Sequence, residues 1–419
     1  MSTSSFHQRE TPRPGLLARM LRVTGPGLIV MLADTDVGSI ITAGQSGVQW
    51  GYRLLLLQVV LMPILFVVQE LTVRLGIFTG RGHGELIRDT FGAFWAYVSA
   101  AGLTVAVSGA LLSEFSGVAG VGELYGVSRF VTLPMAAVLL LAVGLTGGYR
   151  RVERVAILFG LFEFAFFAVA YSAHPTFENV VSGSINIPLD DTKYLFLVAA
   201  NIGAVIMPWM IFYQQSAIAD KRLGPADLTA ARIDTAIGAV LTQLVMAAVL
   251  IAAAAFVTSA DPDRSLSTIG ELASALTPLF GSALGKLLFA AGVLGAAMVA
   301  AIVSSLALAW GLGEVAGYRR SLEMRPAQAP WFYGVYGVCV IGGALIVALW
   351  PNLVSLNIAV QVMNALLLPL VLGFLIALAI RALPDEVRLR GVYLWVVLAI
   401  AAVTCAFGVF GGINGAVAG

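Results

Sequence analysis

Apolar runs follow one another almost without pause from residue 27 to residue 411, and that feature leaves the chain few possible folds. A helix crossing the hydrocarbon layer of a bilayer, about 30 Å thick, needs about 20 apolar residues. Within lipid each backbone N–H and C=O must find its partner inside the protein, which favours closed helices. By this measure the sequence predicts eleven spans, over 27–47, 53–75, 93–121, 131–148, 154–172, 193–217, 236–258, 284–314, 331–350, 353–380 and 391–411. The third and eighth segments exceed a perpendicular crossing and must tilt or protrude. Only 11% of the 419 residues are charged, against roughly 25% in a soluble domain. The expectation is an all-α integral membrane protein.

Basic residues orient it. With the N-terminus placed in the cytoplasm, the outer segments hold only Arg53, Arg129, Lys193, Arg264 and Lys286 of the 24 basic residues, leaving nineteen inside. Such a bias is the positive-inside pattern. An odd number of spans then puts the C-terminus outside, in a cell (plasma or inner) membrane. No apolar core occurs in the polar stretch Met1–Pro14, so no cleavable signal peptide is expected. A net charge of +1 gives no reason to expect nucleic acid as a partner. Cys339 and Cys405 both sit in apolar runs and suggest neither disulfides nor a zinc site. The bilayer is the expected partner, and a monomer is compatible with everything the sequence offers.

Two spans carry interruptions. The first contains Ala33-Asp34-Thr35-Asp36-Val37-Gly38-Ser39, and the sixth contains Asn201 and then Met207-Pro208-Trp209. Proline removes a backbone donor and clashes with the preceding turn. Aspartates at membrane depth cost several kcal/mol unless something uses them. Broken helices at corresponding places in two halves point to a transporter binding site. The implied plan is a cytoplasmic arm over 1–24, an inverted pair of five-helix repeats over 25–172 and 193–380, and an additional eleventh helix over 391–411.

Five strings stand out along the chain: Gly25-Pro26-Gly27-Leu28, Gly47-Val48-Gln49-Trp50-Gly51-Tyr52, Arg74-Leu75-Gly76-Ile77-Phe78-Thr79-Gly80-Arg81, Ala204-Val205-Ile206-Met207-Pro208 and Ile233-Asp234-Thr235-Ala236. Through them the sequence resembles the NRAMP family of divalent metal transporters. The resemblance implies a five-plus-five inverted repeat of the LeuT type with discontinuous helices 1 and 6. It also implies roles. Asp36 takes the place of the metal-binding aspartate, Ser39 stands where the family has an asparagine, and the Ala204 carbonyl and Met207 sulfur match the sixth-helix ligands. Asp34 is an acid the family pattern does not supply, and it joins the candidate metal-binding residues by adding negative field or an outer contact to the ion. Oxygen ligands suit magnesium or manganese, and a thioether favours transition metals. Ser39 beside Gly38 can equally cap the second half-helix.

The departures concern protons. Where the family has an acid pair in the third span, this chain has Leu111 and Glu114, and Trp209 replaces a histidine. Leu367 precedes Pro369 where a glutamine is usual, although Gln361 and Asn364 lie on the same helix. All three histidines (His7, His83, His174) fall outside the spans, so none is expected to relay protons through the membrane near neutral pH. In these losses the chain resembles a divergent NRAMP-related branch of magnesium and manganese transporters, and the expected activity is carriage of manganese or magnesium by alternating access, weakly coupled or uncoupled to protons. Glu114, Glu163, Trp209, Gln361 and Asn364 are candidates for the permeation or proton path. Glu70 reads as an ion pair with Arg74 four residues on, and Glu314 as a cap on the inner end of span eight. The competing class is a carrier of a small organic or anionic solute, such as bicarbonate or an amino acid, held by half-helix N-termini; Asp34 and Asp36 weigh against it. A passive channel would share the loss of coupling groups. No catalytic motif or resident cofactor is read, so no enzyme is expected.

Overall fold

The computed structural model describes Val23 and residues 25–146, 148–256, 266, 269–276, 281–350 and 356–418. The helices, in order, are α1 (Pro26–Asp34), α2 (Val37–Trp50), α3 (Leu55–Thr79), α4 (His83–Phe91), α5 (Ala93–Leu124), α6 (Arg129–Leu145), α7 (Tyr149–Gly160), α8 (Ala165–Ser172) and α9 (Phe177–Ile185). They continue as α10 (Thr192–Val205), α11 (Pro208–Asp220), α12 (Leu228–Phe256), α13 (Ile269–Leu276), α14 (Gly281–Ala316), α15 (Pro330–Leu349), α16 (Leu356–Arg381) and α17 (Gly391–Ala418).

Each expected span meets helix. Among the described residues nine stretches are long and apolar enough to cross a membrane, and one of them, Val37–Thr79, holds both the second half of the first span and the whole second span. The fourth expected span is the shorter Arg129–Leu145. Residues 351–355, the start of the expected tenth span, lie outside the described residues. The third and eighth spans are long, as expected: α5 has 32 residues and α14 has 36.

Three features were not anticipated. The fifth span is not one regular helix: a 3-10 turn, Leu161–Phe164, separates α7 from α8 and carries Glu163. Short helices α4, α9 and α13 fill connections between spans. Asn201, grouped with the second interruption, lies inside regular α10, where its amide donates to the Leu197 carbonyl at 2.7 Å.

Apolar side chains build one main core. Fully buried members come from helices throughout the chain, and α10–α11 is buried along almost its whole length. Two glycines bring a further helix onto the breaks. Gly203 of α10 lies against the Gln361 carbonyl and Ala365 nitrogen of α16, and Gly38 of α2 lies against the Gln361 side-chain amide. A methyl group at either place would overlap those atoms. Small residues at such crossings let helix backbones approach closely.

Candidate functional site

Helix α1 stops at Asp34, and α2 starts at Val37. Between them Thr35 returns its N–H to the Leu32 carbonyl, and Asp36 is extended (φ −70°, ψ 170°). Asp36 is the N-cap of α2, its Oδ1 accepting from the Ser39 N–H at 2.6 Å. The capping role considered for Ser39 belongs to Asp36. Asp36 is fully buried, and its Oδ2 has no partner.

The second break is similar. Helix α10 ends at Val205, Ile206 and Met207 leave helical geometry, and Pro208 opens α11. At a helix start the missing N–H of proline costs nothing, because that position has no intrahelical partner. Pro208 therefore restarts the helix instead of kinking it. Carbonyls in the last turn of α10 lack ladder partners, and the Ala204 carbonyl accepts from the Ser39 hydroxyl at 3.1 Å. That bond joins the two breaks directly. Met207 caps α11 from a fully buried position.

A third element closes on them. Gln361 of α16 donates from Nε2 to Asp36 Oδ1 at 3.4 Å, and Asn364 donates to Gln361 Oε1 at 2.9 Å. The Asn364 Oδ1 is unpartnered. Glu114 of α5 accepts from the Val37 N–H at 3.3 Å and leaves Oε1 unpartnered. Asp36, Ser39, Ala204 and Met207 are all between 0 and 3% exposed, so this conformation shuts the site from water on both sides.

The sequence candidates thus separate into groups. Asp36, Ser39, Ala204, Gln361 and Asn364 form one hydrogen-bonded chain, Glu114 reaches the same break through the Val37 N–H, and Met207 lies in the same break as Ala204. Asp34 and Glu163 approach Thr35 and Thr242 instead. Trp209 is buried in the first turn of α11 with its indole N–H unpartnered. Among the described residues no three histidine, cysteine, aspartate or glutamate side chains converge at metal-binding spacing. The breaks offer the Asp36 carboxylate, neutral oxygens and a sulfur, with the Glu114 carboxylate against the first of them.

Networks beyond the breaks were less visible beforehand. On one side Asn201 bridges Gln58 (2.7 Å) and Ser46 (2.9 Å), and the Gln45 side chain receives the Leu266 N–H. On the other, Asp234 of α12 accepts from the Gly27 and Leu28 N–H groups at 2.9 and 3.1 Å, capping α1. Lys221 pairs with Glu153 at 3.1 Å. Glu70 pairs with Arg74 as expected and also with Arg232. Glu314 caps a different helix from the one expected: its carboxylate takes the Gly84 N–H of α4 at 2.8 Å and the Ser216 hydroxyl. His83 does lie outside the spans, yet it is buried against Phe212 and Gln215 of α11. Burial pushes its pKa down to about 4.

Solved structures with the same architecture include a manganese transporter of Eremococcus coleocola bound to an aromatic bis-isothiourea compound (TM-score 0.79, 20% identity, 96% of this chain and 88% of that one). They also include MhsT in complex with L-phenylalanine (TM-score 0.60, 14% identity, 96% and 98%). At those identities the likeness concerns fold alone. Fold and paired breaks together define a multi-span membrane protein of the LeuT-like class. Residues 27–413 match the family described as natural resistance-associated macrophage protein-like. The chain belongs to that Nramp family, whose members are transporters and not enzymes. Among its relatives are the divalent metal cation transporter MntH of Aeromonas hydrophila, 30% identical over 338 residues (74% of this chain, 79% of that protein). The MntH of Acidiphilium cryptum is 25% identical over 387 residues (88% and 84%).

Proposed function

We propose that this protein carries a divalent metal cation, manganese or magnesium, across the cell membrane by alternating access around the two breaks. One observation supports this above all. A buried aspartate with a free oxygen is bonded, through Ser39, to a last-turn carbonyl of the facing half-helix. Asp36 is the principal ligand; Ser39, the Ala204 carbonyl and Met207 complete the shell with water. The Ser39 hydroxyl and the Ala204 carbonyl spend one interaction on each other and keep lone pairs for a cation. Gln361, held by Asn364, orients Asp36. The MntH relatives' names support a divalent substrate. The sulfur of Met207 favours manganese over magnesium.

Transport is weakly coupled or uncoupled to protons. Leu111 and Trp209 stand where titratable groups would serve a proton route, and no histidine lies within a span. Glu114 touches the break itself and is the remaining acid there. In this reading there are eleven spans in a five-plus-five inverted repeat, over 25–172 and 193–380, with 391–411 added. The N-terminus is cytoplasmic and the C-terminus lies outside.

A crystal soaked in manganese tests the substrate reading through its anomalous signal. The expected peak lies between Asp36 Oδ2, Ser39, the Ala204 carbonyl and Met207. Saturating manganese with no peak between the breaks overturns it. Liposomes loaded with a pH dye test coupling: manganese entry with stoichiometric acidification would refute the uncoupled reading.

A further inference from the structure

The Asp36 shell leaves a second polar group unused. Asp34, the last residue of α1, and Glu163, in the 3-10 turn of the fifth span, are 1% and 0% exposed. Both Glu163 oxygens and Asp34 Oδ1 have no hydrogen-bond partner. Between the two carboxyl groups stand Thr35 and Thr242, whose hydroxyls are 2.8 Å apart. The Thr242 side chain faces Asp34, and the Thr35 side chain faces Glu163. Four oxygen-bearing side chains from the first, fifth and seventh spans thus meet in sequence. Among the described residues neither Asp34 nor Glu163 forms an ion pair with lysine, arginine or histidine.

Unpaired carboxylates in a water-free interior are costly, and their mutual repulsion adds to the cost. A regular helix would have sufficed to cross the membrane here. The fifth span is instead locally rewound to 3-10 geometry around Glu163, which faces Thr35.

We propose that Asp34, Glu163, Thr35 and Thr242 form a second cation site, separate from the Asp36 shell, that takes a hard cation through oxygen alone. No sulfur or imidazole belongs to this group, and such all-oxygen sets suit sodium or magnesium and not a soft ion. Its place has a consequence. Asp34 and Thr35 form the end of α1, whereas Glu163 and Thr242 belong to the elements packed beside it, so an ion bound here ties the half-helix to its neighbours. The inference rests on the reading of Asp36 as the substrate ligand only in calling this site the second one.

Purified full-length protein allows a direct test by equilibrium binding of sodium-22 and, in a separate arm, of magnesium measured by mass spectrometry. Each arm is run with and without saturating manganese. The expected result is one hard cation retained alongside the manganese, with the arm that shows it naming the ion. Glu163→Gln and Thr242→Val, both close in shape to the native residues, should weaken that second ion by about tenfold or more. They should change manganese affinity by less than about threefold. Asp36→Ala should do the reverse. Should the wild type hold no cation beyond manganese in either arm, the carboxyl groups are neutral and the proposal falls. It falls equally if Glu163→Gln, folded by its thermal transition, binds the second ion as the wild type does. Loss of manganese binding by the wild type itself would refute the substrate reading while leaving the sodium and magnesium arms to judge this one.

Discussion

Asp36 does two things with its two oxygens. One caps α2 through the Ser39 N–H, and the other is left free in a buried space. Substitution by alanine would remove both functions, with the lost cap alone costing about 1 kcal/mol. Asparagine is as good a cap but carries no charge. Asp36→Asn should therefore keep its thermal stability while manganese uptake into liposomes falls by at least about a hundredfold; normal uptake would show that the charge is not used. Met207→Ala should weaken manganese binding by about tenfold and magnesium by less than about threefold in calorimetric titrations. Equal losses would take the sulfur out of the shell. At this scale the sequence was informative wherever chemistry is local. Aspartates beside glycine, and methionine before proline, announce themselves within one turn. The exact partner of Gln361 was not legible, because it meets Asp36 from 325 residues away in the chain. Asp234 and Glu314 were hidden for the same reason, since each caps a helix more than 200 residues distant.

Spans were readable as elements because length and apolarity together define a crossing. The short helices were not, since α4 and α9 have nine residues each and carry no apolar run. Only a single glycine, Gly160, precedes the 3-10 turn around Glu163, too weak a signal to place it from sequence. Helix α4 offers a test through its first residue. His83 keeps a pKa near 4 when folded, whereas a free imidazole titrates near 6.5. An unfolded chain takes up the proton between those values and the folded chain does not. Stability contributed by neutral His83 is thus present above about pH 6.5 and is lost as pH falls toward 4, by at most about 3 kcal/mol. Melting curves from pH 7.5 to 4.5 should show a steeper acid loss for the wild type than for His83→Gln. Parallel curves would mean that His83 is protonated freely in the native state. The contact between α10 and α16 offers another. A Cβ at Gly203 meets backbone atoms of Gln361 and Ala365, which cannot swing aside as a side chain would. Gly203→Ala should cost about 1–3 kcal/mol through forced separation of the two helices. A melting temperature equal to the wild type's would show that the helices already have slack.

The whole molecule is closed around its breaks, and its two sides are closed by different means. Neutral amides and a hydroxyl on Gln58, Asn201 and Ser46 make up one closure. The other is charged. Asp234 holds the N-terminus of α1, Lys221 bonds both the Val23 carbonyl and Glu153, and Glu314 fastens α4 to α11. In the proposed orientation, with the N-terminus inside, the charged closure faces the cytoplasm. Because α1 is cut from α2 at the first break, its start can move without dragging the rest of the span. What holds it is then a few hydrogen bonds to one carboxylate, strengthened by the positive end of the helix dipole. Hydrogen bonds to a charged group contribute about 1.5–3 kcal/mol each, and 1.4 kcal/mol is a tenfold change in an equilibrium. Asp234→Ala removes two such bonds and should therefore raise the cytoplasm-open population of α1 by at least about a hundredfold. Spin labels near the start of α1 and on the cytoplasmic end of α12 would report this as a longer distance in the variant, while manganese bound between the breaks should shift it back. An unchanged distance distribution in Asp234→Ala would place the restraint on α1 elsewhere, on Lys221 and Glu153.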